Sequence, residues 1–368
     1  MNAIQRGVWV APGRVNIIGE HTDYNDGYAL PIALPHVVSC TARATSDGTV
    51  TVSSRQHPGE LISEPVAGLA DSTVAGWVRY PLGVVYEFSR RGRSIGGVEL
   101  MLDGAVPVGA GLSSSAAVVC AVAVALRDLF AGAVTDAELI DIGRAAENSY
   151  VGAATGTLDQ SASVLCTAGH ALFLDFGKGE HAQVPFDLAA AGLALLVADT
   201  NTPHHHAGGG YADRRRECEE AAAALGVRSL REITDIAAVE QIPAPAPRKR
   251  ARHIVSENAR VLEVVDMLRR GRDPREIGPI LTTGHASLRD DFEISTPQLD
   301  AAVEAALEAG AHGARMVGGG FGGSIIALVD ADRTAATVRA IENRFRAADF
   351  AEPRTFVAIP SAGAHRVA

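Results

Sequence analysis

The feature that most constrains the fold is an apolar run at residues 116–126, in a segment predicted to be helical as far as Phe130. A helix that is apolar on every side is stable only when it is buried. The run is too short to cross a bilayer, because a membrane span needs about 20 apolar residues. We therefore predict a helix at the centre of a globular fold, with the other elements packed around it.

The residues directly before this helix read PVGAGLSSSAA, at positions 107–117. Gly109 and Gly111 let the backbone approach a ligand closely. Three serines follow, and a helix N-terminus presents free N–H groups and partial positive charge to an anion. A helix that is merely well capped is the alternative, since serine is a favoured cap. Three consecutive serines exceed what capping needs, so we favour a phosphate loop at residues 109–115.

Two other kinds of glycine-rich phosphate site are excluded. A Walker-type loop needs a lysine after its second glycine, and neither Lys178 nor Lys249, the only lysines, stands in that context. The dinucleotide fingerprint fails because Ser114 stands where its third glycine would be. The string at residues 318–323 does match G-x-G-x-x-G, but a strand-like apolar run follows it. Since the fingerprint requires a helix there, that match carries no weight.

A second polar stretch, APGRVNIIGEHTDYNDGYALPIAL, occupies residues 11–34. Within ten residues it presents Arg14, Glu20, His21 and Asp23. Carboxylate and imidazole groups at this density are hydrogen-bond partners for a polyhydroxylated ligand. A charged surface loop explains the same spacing. The residues alone leave both interpretations open.

Two further acidic residues are candidates for a site. Glu147 lies near the end of a helix predicted over residues 135–150, which Thr135 or Asp136 would cap. Asp159 follows a segment of small residues, where an aspartate serves either as a general base or as an Asx-type cap for the next element. The residues alone favour the cap for Asp159.

Metal-binding by histidine is not predicted. The loop before Tyr211 contains three adjacent histidines, His204, His205 and His206. Neighbouring side chains in an extended loop rarely point at one ion, and no cysteine stands nearby. The four cysteines of the chain are scattered without a C-x-x-C pair, which is typical of reduced thiols.

Length and charge limit the remaining possibilities. With 368 residues the chain is long enough for two domains, and we place the boundary near residues 184–190. The formal net charge of −10 disfavours a nucleic-acid surface, which needs clustered Lys and Arg. Nothing at the amino terminus resembles a signal peptide, so we expect a cytoplasmic protein without nucleic-acid or membrane partners.

Hydrophobic periodicity predicts the other elements. Strands are expected at residues 7–10 and 15–18 around a turn, and residues 49–53 are expected to form a hairpin with the strand before them. Residues 59–73 are interpreted as a loop, and Tyr211 as the start of a helix. The second half is predicted to mix antiparallel strands with helices.

The segment GRVNIIGEHTDYNDGYALP resembles the signature of the galactokinases, a branch of the GHMP small-molecule kinase superfamily. The phosphate loop resembles the second motif of that superfamily, and GARMVGGGFGGSIIAL at residues 313–328 resembles the third. The resemblance covers nearly the whole chain and implies an α+β protein with the two-domain GHMP kinase fold. A mixed α/β N-terminal domain with a left-handed βαβ unit (residues 1–185) and a ferredoxin-like α+β C-terminal domain (residues 186–368) would enclose the active site.

The same resemblance implies an ATP- and Mg²⁺-dependent sugar 1-kinase that phosphorylates galactose. The ATP phosphates would be wrapped by Gly109, Ala110, Gly111, Leu112, Ser113, Ser114 and Ser115. Mg²⁺ would be held by Ser115 and Glu147, since hydroxyl and carboxylate oxygens suit that hard ion. The sugar would be bound by Glu20, His21, Thr22, Asp23, Gly156 and Tyr211.

Catalysis, by the resemblance, would depend on Asp159 and Arg14. Asp159 would accept the proton of the anomeric hydroxyl, and Arg14 would offset charge that develops on the phosphoryl group. The departures from the family pattern are small: Thr157 and Leu158 replace a commoner Ile-Met pair, and the triple histidine is unusual.

Two alternatives stay open. One is a kinase for another sugar, such as N-acetylgalactosamine, arabinose or galacturonate. The other is a non-catalytic galactose and ATP sensor, which is disfavoured because the phosphate loop is intact. We expect a monomer or a weak homo-oligomer.

Overall fold

The computed structural model describes residues 5–130, 132–153, 155–202 and 207–368. The strands, in chain order, are β1 Arg6–Asn16, β2 Tyr28–Ala29, β3 Pro31–Ala44, β4 Thr49–Ser54, β5 His57–Pro65, β6 Val98–Gly104, β7 His170–Asp175, β8 Glu180–Pro185, β9 Leu193–Asp199, β10 Gly313–Val317, β11 Ser324–Asp330, β12 Arg354–Ala358 and β13 His365–Arg366. The α-helices are α1 Arg79–Arg90, α2 Ser114–Phe130, α3 Asp136–Ala145, α4 Leu158–Leu165, α5 Ala207–Ala224, α6 Ile236–Val239, α7 Pro245–Arg269, α8 Gly278–Asp290, α9 Pro297–Glu308 and α10 Thr334–Ala347. Short 3₁₀-helices lie between them, and a π-helix at Ala146–Val151 continues α3.

The first half of the chain is built around α2, as the apolar run predicted. Its side chains at residues 119–126 are all buried. This helix packs against β1 and β3 of a six-stranded sheet with the order β13-β1-β3-β6-β4-β5, and α1 and α3 pack on α2 in turn. Because α2 is fixed on all sides, its N-terminus and the phosphate loop before it are held in one place.

The helix predicted over residues 135–150 is interrupted. Thr135 caps α3 as expected, because its hydroxyl accepts from the Glu138 amide and the Glu138 carboxylate accepts from the Thr135 amide. The α-helix then ends at Ala145, and the wider π-turn carries Glu147. Single π-turns within helices are often found at functional sites.

The second half contains the antiparallel sheet that the sequence predicted, with the order β10-β11-β9-β12. The strands β9 and β10 are buried on both faces, and so is β11 up to its last residue. Helices α8 and α9 pack against β10. The long helix α7 contacts α5 and α8 in this half and also β2 and β8 of a small third sheet, β2-β7-β8, so it joins the two halves.

Four local predictions were wrong. The expected turn near residue 13 is absent, because β1 is one strand with a bulge between Pro12 and Arg14. Residues 49–53 pair antiparallel with β5 and parallel with β6, not with the strand before them. Residues 59–73, expected to be a loop, contain most of β5, an exposed edge strand whose polar residues hide the strand pattern. Helix α5 begins at Ala207, so Tyr211 lies inside its first turns.

The chain ends by returning to the first half. The amide of Gly363 donates to the Cys166 carbonyl, and β13 pairs with β1. The domain boundary at residue 185 stays a prediction. The last residues of the chain pack against elements that precede this boundary. In the part of the chain that the structure describes, no helix is long and apolar enough to cross a membrane.

Candidate active site

The three sequence motifs meet at one cavity of about 710 Å³. Its walls come from β1 and the turn that follows, the phosphate loop, the segment before α4, α5 and the loop after β10. The lining residues are Arg14, Asn16, Glu20, His21, Asp23, Tyr80, Gly109, Gly111, Leu112, Ser113, Ser114, Ser115, Gly152, Ala153, Thr155, Gly156, Leu158, Asp159, Tyr211, Gly318, Gly319 and Gly320. Segments that are up to 300 residues apart in sequence therefore share one wall.

The phosphate loop has the geometry of an anion site. Gly109 and Gly111 have φ values of 79° and 72°, in the left-handed region that side chains adopt only with strain. These turns bring the chain to the N-terminus of α2 at Ser114. Because Ser113 and Ser115 line the cavity together with Ser114, the N-terminal end of a buried helix faces it.

Asp159 is held in the cavity wall by three polar contacts. Its Oδ1 accepts from Nε of Arg14 at 2.8 Å and lies 2.7 Å from Nη2 of the same guanidinium. Its Oδ2 accepts from the Ser113 hydroxyl at 2.5 Å. The residue lies within the first turn of α4 and both of its oxygens accept from other elements, so the interpretation of Asp159 as a cap was wrong.

Arg14 also links the carboxylate to the phosphate loop. Its Nη1 donates to the Gly111 carbonyl at 2.6 Å, and the side chain is only 9% exposed. A guanidinium with this fixed orientation is suited to a phosphoryl group, because its planar donors match phosphate oxygens. The structure thus brings a carboxylate, a guanidinium and an anion-binding loop together.

Glu20 lines the cavity and is buried. Its Oε1 accepts from the Gly318 amide at 2.6 Å, and its Oε2 accepts from the Asn16 side-chain amide. Burial raises the pKa of Glu20 to about 7. The positive charges of Arg315 and Arg14 oppose that effect of burial.

His21 is buried against aromatic rings and is held at both nitrogens. Nδ1 lies 2.8 Å from the Tyr24 hydroxyl, and Nε2 lies 3.3 Å from the Gly319 carbonyl. The Phe292 and Tyr211 rings lie 4.7 and 5.2 Å from it. Burial lowers the pKa of His21 to about 3, so the ring is neutral at pH 7 and acts as a hydrogen-bonding group.

The carboxylate of Asp23 packs directly against the backbone of Gly156. A Cβ atom at Gly156 would lie 1.6 Å from Oδ2 of Asp23, so only glycine fits there. Burial raises the pKa of Asp23 to about 6, and the negative charge of Asp159 adds to that rise. Tyr211, from α5, completes this side of the cavity, and burial raises the pKa of its hydroxyl well above the usual value.

Glu147 lies behind the phosphate loop. Its Oε2 accepts from the Thr155 hydroxyl at 3.2 Å and from the Gln160 amide, while its buried Oε1 has no hydrogen-bond partner. Burial raises the pKa of Glu147 to about 7, and the nearby Ser115 hydroxyl opposes that rise. A buried carboxylate oxygen without a partner, beside a serine hydroxyl, fits a Mg²⁺ ion that keeps its other ligands as water and phosphate oxygens.

Three predicted residues do not line the cavity: Thr22, Ala110 and Glu147. The Thr22 hydroxyl lies 2.9 Å from the Gly19 carbonyl and 2.6 Å from the Tyr28 carbonyl, so it holds the turn together and does not line the cavity. Ala110 is the buried residue of the phosphate loop between Gly109 and Gly111. The triple histidine lies outside the described residues. Within the described ranges, no group of three or more His, Cys, Asp or Glu side chains is arranged to hold a metal ion.

Sequence reasoning missed several residues of the wall. Asn16 interrupts the apolar run at residues 15–18, and its side-chain amide donates to Glu20. Tyr80 and Thr155 were not singled out, yet both line the cavity. The polar residue within an apolar strand was the available signal for Asn16, whereas an isolated tyrosine on an amphipathic helix gives none.

Family models match three parts of this chain. The model of the galactokinase galactose-binding signature matches residues 2–44, that of the GHMP kinases N terminal domain matches residues 79–167, and that of the GHMP kinases C terminal matches residues 264–347. The first model covers Arg14, Glu20, His21 and Asp23, and the second covers the phosphate loop and Asp159.

Similar proteins match over almost the whole length. A galactokinase of Streptomyces coelicolor is 48% identical over 98% of this chain and 94% of its own, and one of Mycobacterium tuberculosis is 41% identical over 95% and 96%. The crystal structure of Lactococcus lactis galactokinase complexed with galactose superposes with a TM-score of 0.94 at 32% identity, over 98% of this chain and 95% of that one. Methanococcus jannaschii mevalonate kinase, at 14% identity and a TM-score of 0.70, shares the fold. The chain therefore has the two-domain GHMP kinase fold and belongs to the galactokinase family.

Proposed function

We propose that the protein transfers the γ-phosphoryl group of ATP to the anomeric hydroxyl of galactose, with Mg²⁺, giving galactose 1-phosphate and ADP. The observation that carries the proposal is the position of Asp159 and Arg14, which lie between the phosphate loop and the buried polar groups of the signature segment. Similarity to galactokinases over nearly the whole chain supports the choice of galactose.

In this mechanism, positioning and charge stabilisation do most of the work. The γ-phosphate lies at the phosphate loop, where the N-terminus of α2 stabilises negative charge. Asp159 accepts the proton of the anomeric hydroxyl as that oxygen attacks phosphorus, and Arg14 stabilises the charge on the transferring group. Ser113 keeps the carboxylate oriented through its hydrogen bond to Oδ2.

The sugar is held by the groups on the other side of Asp159. Glu20 and Asp23 accept from sugar hydroxyls, and neutral His21 and Tyr211 add hydrogen-bonding and apolar surface. Ser115 and Glu147 would hold Mg²⁺, which when bound neutralises charge on the phosphates of ATP. Each of these roles uses a residue type whose oxygen or nitrogen atoms suit its partner.

The activity is tested by ADP release with Mg-ATP and a panel of acceptors: galactose, N-acetylgalactosamine, arabinose, galacturonate, glucose and mevalonate. We expect turnover with galactose and much lower values of kcat/KM for the other five. Higher kcat/KM with another sugar would reassign the substrate. Binding of galactose by calorimetry without any turnover would identify a sensor.

The role of Asp159 is tested by Asp159→Asn, which keeps the shape of the side chain and removes its basicity. General-base catalysis contributes about 10²- to 10⁴-fold, so kcat should fall by that factor while galactose binding changes little. Asp332→Asn is the matched control, because Asp332 is exposed on the second half of the chain. Undiminished turnover in Asp159→Asn would remove this residue from the mechanism.

A further inference from the structure

One face of α7 carries three polar side chains that are buried and lie outside the cavity. His253 and Glu257 are 0% exposed and Asn258 is 7% exposed. The spacing of four residues places His253 and Glu257 on the same side of the helix, and Asn258 is the residue directly after Glu257. Polar groups are buried in a helix face only when they have partners, so their partners indicate their purpose.

Each of the three has a hydrogen-bond partner in residues 19–28, which we call the signature loop. Oε1 of Glu257 accepts from the Gly19 amide at 2.9 Å. Nε2 of His253 lies 3.2 Å from the Glu20 carbonyl. Oδ1 of Asn258 accepts from the Tyr28 amide at 3.0 Å. We call these three helix residues the anchor row, because they contact the signature loop at its first two residues and at its last.

The close approach at the far end of the signature loop depends on a glycine. A Cβ atom at Gly27 would lie 2.4 Å from Oδ1 of Asn258 and 2.8 Å from Cβ of Thr22. The loop therefore packs directly against Asn258 at Gly27, where any residue with a Cβ atom would collide. Loop and helix are matched in shape as well as in hydrogen bonding.

Charge links the anchor row to the polar groups of the cavity. Glu257 pairs with Arg315 at 2.7 Å and with Arg260 at 2.8 Å, and the side chains of Glu257 and Arg315 are both 0% exposed. Burial works against the ionised form of Glu257, but the charges of Arg315 and Arg260 lower its pKa below the usual range. Arg315 is also the largest favourable charge acting on Glu20.

A purely stabilising role explains these contacts poorly. Burying an ion pair costs desolvation energy that the attraction often fails to recover, so such pairs are weak sources of stability. Here Glu257 of the pair accepts from the Gly19 backbone amide, at the start of a segment that lines the cavity. The charge of Arg315 acts on the Glu20 carboxylate in the cavity. The ion pair therefore fixes the position of the signature loop and the charge beside Glu20. An apolar core contact would fix neither.

We propose that the anchor row positions the signature loop for the sugar, so that Glu257 and Asn258 are positioning residues for sugar binding although neither lines the cavity. Glu257 holds the start of the loop beside Glu20, and Asn258 holds its end at Tyr28. The inference rests on the proposed function, because it assigns the signature loop to the sugar.

The decisive variant is Asn258→Ala, which removes the acceptor for Tyr28 and leaves no unpaired charge. Loss of a buried hydrogen bond at one end of the loop should raise the Kd and KM for galactose about tenfold, with the KM for ATP changed less than about twofold. The matched control is Ser256→Ala, two residues earlier on α7, whose hydroxyl contacts the Arg252 and His253 carbonyls of its own helix. This control should bind galactose as the wild type does.

Glu257→Gln adds a readout that a structural role would not move. The charged groups that act on Glu20 are Arg315 on β10, Arg14 on β1 and Glu257 on α7, and the neutral ring of His253 contacts its carbonyl. The glutamine keeps an acceptor for the Gly19 amide and removes the one negative neighbour. The pKa of Glu20 should therefore fall, and the acid limb of galactose binding should move to lower pH.

The outcomes separate the inference from the proposed function. If wild-type protein does not phosphorylate galactose, the proposed function fails whatever the variants do. If the wild type is active and Asn258→Ala leaves the galactose Kd unchanged, or weakens galactose and ATP equally, the positioning role is refuted. If Glu257→Gln misfolds, Asn258→Ala still decides the question.

Discussion

Replacing Glu20 by glutamine removes one charge and almost no volume from the cavity wall. The wild-type carboxylate accepts from the Gly318 amide and from the Asn16 side-chain amide, and Oδ1 of Asn16 has no partner. Rotation of the Asn16 amide would let that oxygen accept from the introduced NH₂ group. Because both hydrogen bonds survive, Glu20→Gln isolates the effect of the buried charge.

The expected change in stability follows from the pKa of Glu20. Its usual value is 4.5, and burial raises it to about 7. Below pH 4.5 the group is protonated in both the folded and the unfolded chain, and its contribution to stability is fully present. Between pH 4.5 and 7 the folded chain holds a proton that the unfolded chain has released, so the free energy of unfolding falls as pH rises. At 1.36 kcal/mol per pH unit, about 3 kcal/mol is lost by pH 8.

Urea unfolding of the ligand-free protein at pH 5, 6, 7 and 8 measures this loss. Glu20→Gln should be about 2–3 kcal/mol more stable than the wild type at pH 8 and close to it at pH 5, with the denaturant m-value unchanged. The exposed Glu352→Gln is the control and should follow the wild type. At pH 8 the Glu20 variant should also show a KM for galactose raised about tenfold or more, because a charged acceptor is lost. An identical pH dependence in Glu20→Gln and the wild type would refute the reasoning.

Two further substitutions test the geometry around the signature loop. Gly156→Ala places a Cβ atom 1.6 Å from Oδ2 of Asp23, so one of the two segments must move. The KM for galactose should rise about tenfold, while the KM for ATP changes little. Unchanged steady-state constants would contradict this contact. Arg231→Met removes a guanidinium that pairs with Asp175 at 2.6 Å and covers the Tyr28 ring at 4.2 Å. Since both partners of the ion pair are largely buried, urea unfolding at pH 7 should show a loss of about 2–3 kcal/mol, and a loss below about 0.5 kcal/mol would show that the pair adds little.

The parts of the fold that the sequence predicted are those that local chemistry determines. The apolar run behind the phosphate loop had to be a buried helix, because no side of it could face water. The capping residues of α3 and the antiparallel strands of the second half were likewise read from neighbouring residues. In the site, the density of polar groups in residues 11–34 was sufficient to identify one wall.

Strand pairing was less predictable, since it depends on residues far apart in the chain. The segment at β4 was expected to pair with the strand before it, but β6 lies between β3 and β4 in the sheet. An edge strand such as β5 exposes most of its side chains and so lacks the alternation that identifies buried strands. Neither arrangement leaves a local signal.

The anchor row shows the same limit within the site. His253, Glu257 and Asn258 occupy a helix that also buries Arg250 and many apolar residues, and their spacing alone is that of any amphipathic helix. Their partners lie more than 200 residues earlier. Asp159 was misinterpreted for a related reason: a cap is a local explanation, whereas Arg14 lies 145 residues away.

The cavity holds its carboxyl groups in conditions that oppose their charge. Burial raises the pKa of Glu20 to about 7 and that of Asp23 to about 6, and the neighbouring charge of Asp159 raises the latter further. A fold selected for stability alone would place amides or apolar groups there, because a buried carboxylate lacks the water that solvates it. Hydroxyl groups of a sugar are donors that can replace that water, and a phosphoryl group is matched by Arg14 on the other side of Asp159. The ligand therefore explains why this wall is acidic. The carboxylates that lower the free energy of unfolding of the free protein as pH rises are those that accept hydrogen bonds from a polyhydroxylated substrate.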